Sequence, residues 1–151
     1  MIDITKLKLL RDQTGVSFSL CKKALEESNN NLENAKKKLV ELAGDKISEK
    51  QKRPTAAGAI FTYVHHNKKI AAFIEIMCET DFVSSNQEFL KLGNELAMQL
   101  ASMPAKNKEE LLTQEYIRDS SKKIDNLVKE AVLKFGENIK IGKLERWVLG
   151  N

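Results

Sequence analysis

Apolar residues recur at helical spacing over the first third of the chain. Ile4, Leu7 and either Leu9 or Leu10 mark one face of a first helix, which Thr14-Gly15 ends. Glycine there can adopt the left-handed backbone that a helix C-terminus favours. Ser17 is placed to cap a second helix burying Leu20, Cys21, Ala24 and Leu25. The run Ser28-Asn29-Asn30-Asn31 reads as a turn, because Asn tolerates left-handed geometry and competes with helical hydrogen bonding. A third helix carries Leu32, Ala35, Leu39 and Leu42 or Ala43 inward, and Gly44 closes it. Residues 1–44 are thus expected as a three-helix module with a core too small for more than marginal stability alone. Over residues 45–55 the apolar pattern vanishes, and Pro54 interrupts what remains. This segment is expected as a linker or a solvated helix extension.

From residue 56 the period changes from helical to alternating. Ala59 to Val64 and Ile70 to Cys78 are rich in β-branched and aromatic residues, and His66-Asn67-Lys68-Lys69 supplies a polar turn, so a hairpin is expected. Ser85 and Glu88 have capping-box spacing. The helix they open repeats Phe89, Leu92, Leu96, Leu100 and Met103, with Gly93 and Ala97 allowing close approach of a neighbour and Pro104 ending it. A short helical pattern surrounds Glu109 to Tyr116. A last helix is expected from Ser121 to Phe135, burying Ile124, Leu127, Val128, Ala131 and Phe135. Ile139 to Leu149 has the composition of a further strand, with Gly142 marking a bulge. The expected fold class for residues 56–151 is α+β, three antiparallel strands with helices on one side.

Composition narrows the chemistry. The 151 residues are 42% apolar and 30% charged, enough for one packed core or a core with a satellite, under a well-solvated surface. A net charge of +4 is mild, and the lysines interleave with carboxylates, which argues against a phosphate-binding stripe. Direct nucleic-acid binding is not expected. Cys21 and Cys78 are far apart and match no zinc spacing, so both read as small buried hydrophobes. No apolar run reaches membrane-spanning length and no leader pattern opens the chain, so a cytoplasmic location without membrane contact is expected. His65 and His66 are adjacent; on a strand they would face opposite ways, so a shared metal is not expected. Phosphate loops, dinucleotide turns, nucleophile elbows and zinc-protease motifs are absent from the sequence. No catalytic residue and no cofactor is expected; binding is the natural function.

One stretch invites a partner. Between the strand ending near Met77 and the helix from Phe89 lies Cys78-Glu79-Thr80-Asp81-Phe82-Val83-Ser84-Ser85-Asn86. Asp81 and Phe82 place a carboxylate beside a large ring on a strand-to-helix loop, the kind of position from which proteins touch other molecules. Such a ring can anchor in a partner's pocket. Spacing alone favours a plainer arrangement, with Phe82 folded back as a lid on the core and Asp81 preparing the helix cap.

Four blocks carry a resemblance. These are Leu10-Arg11-Asp12-Gln13-Thr14-Gly15 with Cys21-Lys22-Lys23-Ala24-Leu25; Cys78-Glu79-Thr80-Asp81-Phe82-Val83; the helix Phe89 to Met103; and Gly136-Glu137-Asn138-Ile139. In this order they make the chain closely resemble the bacterial-type elongation factor Ts family, the guanine-nucleotide exchange factors of elongation factor Tu. The resemblance implies an N-terminal module similar to ubiquitin-associated domains, followed by an α+β core. It implies that the loop Thr80-Asp81-Phe82-Val83 docks on the GTPase. There Phe82 acts as a wedge between two helices, Asp81 helps hold the disturbed magnesium site, and Thr80 and Val83 shape the loop. A second contact, implied at Arg11, Phe18 and Ser19, departs from the family pattern: Val16-Ser17-Phe18-Ser19-Leu20 replaces a more usual Ala-Gly-Met-Met-Asp. Phe18 keeps an apolar contact there, and Ser19 does not. Long members of the family carry a second core half and a helical dimerisation insert, whereas here residues 105–119 occupy that gap; a homodimer could supply the second core. The competing readings are a generic adaptor and a nucleic-acid binder using Lys36-Lys37-Lys38.

Overall fold

The computed structural model describes residues 1–151. Its first part is helical: α1 (Ile4–Thr14), α2 (Phe18–Glu27), α3 (Leu32–Leu42) and α4 (Gly44–Lys50). The Asp3 side chain accepts hydrogen bonds from the backbone N–H groups of Thr5 and Lys6, satisfying donors that the first turn leaves unpaired. At the other end Gly15 has φ 67° and donates its N–H to the Arg11 carbonyl. Leu7 and Leu10 are buried, whereas Ile4 and Leu9 are exposed, so the inward face is one residue narrower than the spacing suggests. Ser17 is the N-cap of α2, yet its hydroxyl lies beside that of Ser19 and makes no cap bond. In the turn Asn29 and Asn30 have φ 50° and 61°. Asn30 also accepts from the Asp3 N–H at 2.9 Å and donates to the Met1 carbonyl at 2.8 Å, tying the turn to the start of the chain.

Gly44 opens a helix instead of closing one. Ala43, at φ −98° and ψ 14°, makes the break, and α4 then turns Ile47 into the core. A single apolar residue in a polar stretch carries little periodicity, which is why α4 was not separable from a linker by pattern.

The second part holds β1 (Ala57–Val64), β2 (Ile70–Cys78), α5 (Asp81–Ser84), α6 (Gln87–Ser102), α7 (Lys108–Thr113), β3 (Glu115–Tyr116), β4 (Asp119–Lys123), α8 (Ile124–Phe135) and β5 (Lys140–Val148). The order β1-β2-β5 is antiparallel throughout, the expected α+β sheet. Phe61, Ile74, Ile76 and Ile141 point from it to the helices. A Cβ on Gly93 of α6 would collide with the Phe61 ring, so only glycine lets helix and sheet meet here. Between Ile74 and Ile76 the β2–β5 register shifts, and Gly142 sits at that bulge under the Glu75 side chain.

Three expectations are corrected. Asn86, not Ser85, caps α6, its side chain accepting from the Glu88 N–H at 2.8 Å. Met103 is an exposed cap residue, not part of the buried face. Residues 119–123 are strand, so α8 starts at Ile124, and β3 and β4 make a second small sheet. Buried Gln99 explains that sheet. Its amide donates to Gln114 Oε1 and the Glu115 carbonyl, and its oxygen accepts from the Ile117 N–H at 3.0 Å. Glu95 adds a 2.6 Å ion pair to Arg118 and accepts from the Tyr116 hydroxyl. Burial, helped by that carboxylate, pushes Tyr116 up to about 12.

The N-terminal helices share one hydrophobic core with the rest. Leu7, Leu10, Leu39 and Ile47 belong to the same cluster as Val128, Val132 and Leu133 of α8. Across this junction buried Lys122 pairs with Glu33 of α3 at 3.3 Å and Glu130 of α8 at 3.2 Å. Burial alone would lower the Lys122 ammonium, but the two carboxylates outweigh it and the net shift is upward. Glu33 moves down for the reciprocal reason: partial burial is overcome by Lys122 and Lys36.

Candidate functional site

The strand β2 ends at Cys78, where pairing to Ala57 ends, and the chain must then turn into α5. Glu79 and Thr80 form the extended approach, with Thr80 at φ −132° and ψ 158°. Their two N–H groups have no strand partner. Both donate to Glu137 Oε1, at 3.1 and 3.0 Å, and the Thr80 hydroxyl donates to Glu137 Oε2 at 2.7 Å. The Cys78 thiol donates to the Thr80 carbonyl at 3.3 Å. Burial pushes this thiol up, and the nearby Glu137 carboxylate adds to the effect, so it stays protonated at neutral pH.

The single turn of α5 then sorts its side chains by exposure. Val83 points into the main core and fastens the turn. Asp81 is exposed, and its backbone carbonyl accepts from the Ser85 N–H at 3.0 Å. Phe82 is 90% exposed. The lid arrangement is therefore corrected: the apolar residue that folds back is Val83, and a ring of phenylalanine size is left in water. A turn of this length buries only one of two successive side chains, and Val83 occupies the inward position.

Arg11, Phe18 and Ser19 lie apart from this corner, at the α1–α2 junction, with no hydrogen bond or ion pair joining the two groups. The Arg11 guanidinium lies 4.4 Å from the centre of the Phe18 ring, a cation–π contact. Phe18 is 46% exposed and Ser19 is exposed beside it. His65 and His66 sit in the hairpin turn, outside the strands, so strand alternation does not separate them; their ring centres are 4.1 Å apart. His65 Nδ1 is 3.1 Å from the Tyr63 hydroxyl, and no third His, Cys, Asp or Glu joins them in a metal-binding group. Cys21 and Cys78 are free and buried.

Glu137 and Asn138 are the residues that reasoning from periodicity passed over. Two polar residues after a helix look like an ordinary loop. Their signal was the block Gly136-Glu137-Asn138-Ile139, in which Glu137 and Asn138 fall between the last helical and strand patterns.

Comparison with known proteins adds an independent line. A family model described as Elongation factor TS matches residues 79–150. A protein of Thermosipho melanesiensis named Elongation factor Ts is 33% identical, covering 99% of this chain and 100% of its own length. One of Coprothermobacter proteolyticus with the same name is also 33% identical, over 99% of this chain and 98% of its own. A Clostridium botulinum relative, again named Elongation factor Ts, is 38% identical over 97% of this chain, which spans 48% of that protein.

Proposed function

The chain belongs to the elongation factor Ts family, and from that premise we propose that it is a guanine-nucleotide exchange factor in translation elongation. It binds elongation factor Tu carrying GDP, disturbs the magnesium and phosphate site of that GTPase, and promotes GDP release. The observation that carries this reading is the exposed Phe82 ring beside Asp81, on a turn anchored from behind by Val83. Phe82 is the wedge, Asp81 holds the altered magnesium-site geometry, and Thr80 and Val83 set the shape of the loop. No bond is made or broken in this chain. The effect is a coupling of two binding equilibria: the factor weakens nucleotide binding by the ratio with which nucleotide weakens factor binding. The coupling requires the factor to prefer the nucleotide-free state.

Arg11, Phe18 and Ser19 make a second contact from residues 1–44, a module similar to ubiquitin-associated domains. The factor works in the cytoplasm, where its proposed partner acts in translation elongation. It forms a homodimer, a reading favoured by the sheet face opposite the helices. Register places Ile60, Val64, Phe73 and Trp147 on that face, with the Phe73 and Trp147 rings 5.1 Å apart and Ile60 72% exposed. Thr62, Glu75 and Glu145 interrupt these side chains on the same face, so a second copy would cover a mixed surface with apolar points at Ile60, Val64 and Trp147. Light scattering that returns a strict monomer removes the dimer.

The main test is stopped-flow release of fluorescent GDP from elongation factor Tu, with and without this protein. Acceleration that disappears in Asp81→Ala/Phe82→Ala, with folding intact, is the expected result. No acceleration by the wild-type chain with its matched partner would leave an adaptor or a degenerate factor.

A further inference from the structure

We infer that Glu137 and Asn138 form a positioning clamp that presents the Asp81–Phe82 corner and links it to the segment arriving from the N-terminal helices. This rests on the reading of that corner as the docking element. The clamp is reciprocal. Glu137 takes the N–H groups of Glu79 and Thr80, and the Glu79 carboxylate in turn accepts from the Asn138 N–H at 2.6 Å. Each of two segments distant in sequence thereby satisfies the other's unpaired backbone with a charged acceptor, the stronger and more directional kind of hydrogen bond. Thr80 sits at the N-cap of α5, where its hydroxyl would ordinarily accept from the helix; instead it makes no cap bond and donates to Glu137. A local bond has been given up for one that orients the loop.

Asn138 carries the second link. It is 1% exposed, and its amide donates to the Arg53 carbonyl at 2.7 Å and the Gln51 carbonyl at 3.4 Å. Arg53 returns to the cluster, 3.6 Å from Glu79 Oε2 and donating to the Gly136 carbonyl at 3.4 Å. The chain leaving α4 is thus bonded to the same polar unit that holds the docking corner. The ring buries almost nothing, so apolar contact does little to hold it in place. Its direction is set by the backbone on which Glu137 acts. Ordering that backbone in the free protein removes part of the entropy cost of docking. Glu137 is on this account a positioning residue acting through Phe82.

The test has two arms. In the isolated protein, amide hydrogen exchange at Glu79 and Thr80 is expected to rise about tenfold in Glu137→Ala and much less in Glu137→Gln, which keeps an acceptor oxygen. Equal exchange in wild type and Glu137→Ala overturns the clamp. In GDP release from elongation factor Tu, Glu137→Ala is expected to raise the half-saturating factor concentration about tenfold with the maximal rate little changed. Glu137→Gln restores most of it, and in a Phe82→Ala background Glu137→Ala adds nothing. A fully additive loss overturns the assignment, because a general brace would act regardless of the ring. Should Glu137→Ala fail to fold, Thr80→Val carries the test by removing one bond at nearly constant shape: a loss of about threefold supports the clamp, and none overturns it. A wild-type chain that releases no GDP sinks the exchange reading alone, since the amide-exchange arm judges the clamp without elongation factor Tu.

Discussion

Two phenylalanines mark the two surfaces proposed to meet elongation factor Tu, and they are prepared differently. Phe82 stands on a corner clamped by charged hydrogen bonds to the backbone behind it, and its ring touches water on nearly every side. Phe18 opens a ten-residue helix and is already covered on one face by its own Arg11. A bare ring gains its full burial on docking. A ring with an internal partner gains less, and can lose the cation–π contact in the exchange. Rigidity behind an unpartnered ring thus concentrates binding energy at one point.

The sharpest way to break this contrast is Phe82→Ala. It is expected to cut the acceleration of GDP release about a hundredfold, as truncation of a central aromatic anchor does, while the thermal midpoint stays within about 1 °C. A midpoint that falls instead would mean that the ring belongs to the fold. Gly93→Ala tests the opposite dissociation. Its methyl meets the Phe61 ring, so stability should fall by about 2 kcal/mol and the midpoint by about 6 °C, measured by calorimetry. Exchange activity per folded molecule should be unchanged.

Lys122→Met probes how the two surfaces are joined. It removes the cation between Glu33 and Glu130, and a loss of about 1–2 kcal/mol is expected after discounting for the solvent exposure of Glu33. The pH dependence has a definite sign. Glu33 is lowered in the folded state, so its contribution is present above its unfolded value and is lost as pH falls through the folded one. Lys122 is raised, so its share is present below its unfolded value and lost only as strongly alkaline pH passes the folded one. Unfolding followed from pH 5 to pH 2 should therefore show a shallower loss in Glu33→Gln than in wild type. The smallest effect belongs to Phe18→Ala, with affinity for elongation factor Tu weakened about threefold in a titration. An effect equal to that of Phe82→Ala would erase the contrast.

Much of this molecule follows from local rules. Gly15 in its left-handed cap, the Asn29–Asn30 turn and the alternation along the strands holding Phe61 and Ile76 are each dictated by a residue and its immediate neighbours. Helical and strand periods report which face is buried, so the α+β partition and most core positions were legible before any fold was known. The loop Thr80-Asp81-Phe82-Val83 was legible as a candidate site from its residue types and its place between two elements. Three features depended on tertiary structure. The β3–β4 sheet exists because Gln99, one polar residue on an apolar helix face, finds its carbonyl and amide partners there. Helix α4 turns a single buried residue, Ile47, into the core, and one apolar position has no period. The outward aim of Phe82 depends on Val83 filling the core and on Glu137 reaching Thr80 from a loop far along the chain. Local propensity registers what a segment prefers. Which of two adjacent apolar side chains goes inside is decided by the space and the hydrogen-bond partners that the rest of the chain brings to it.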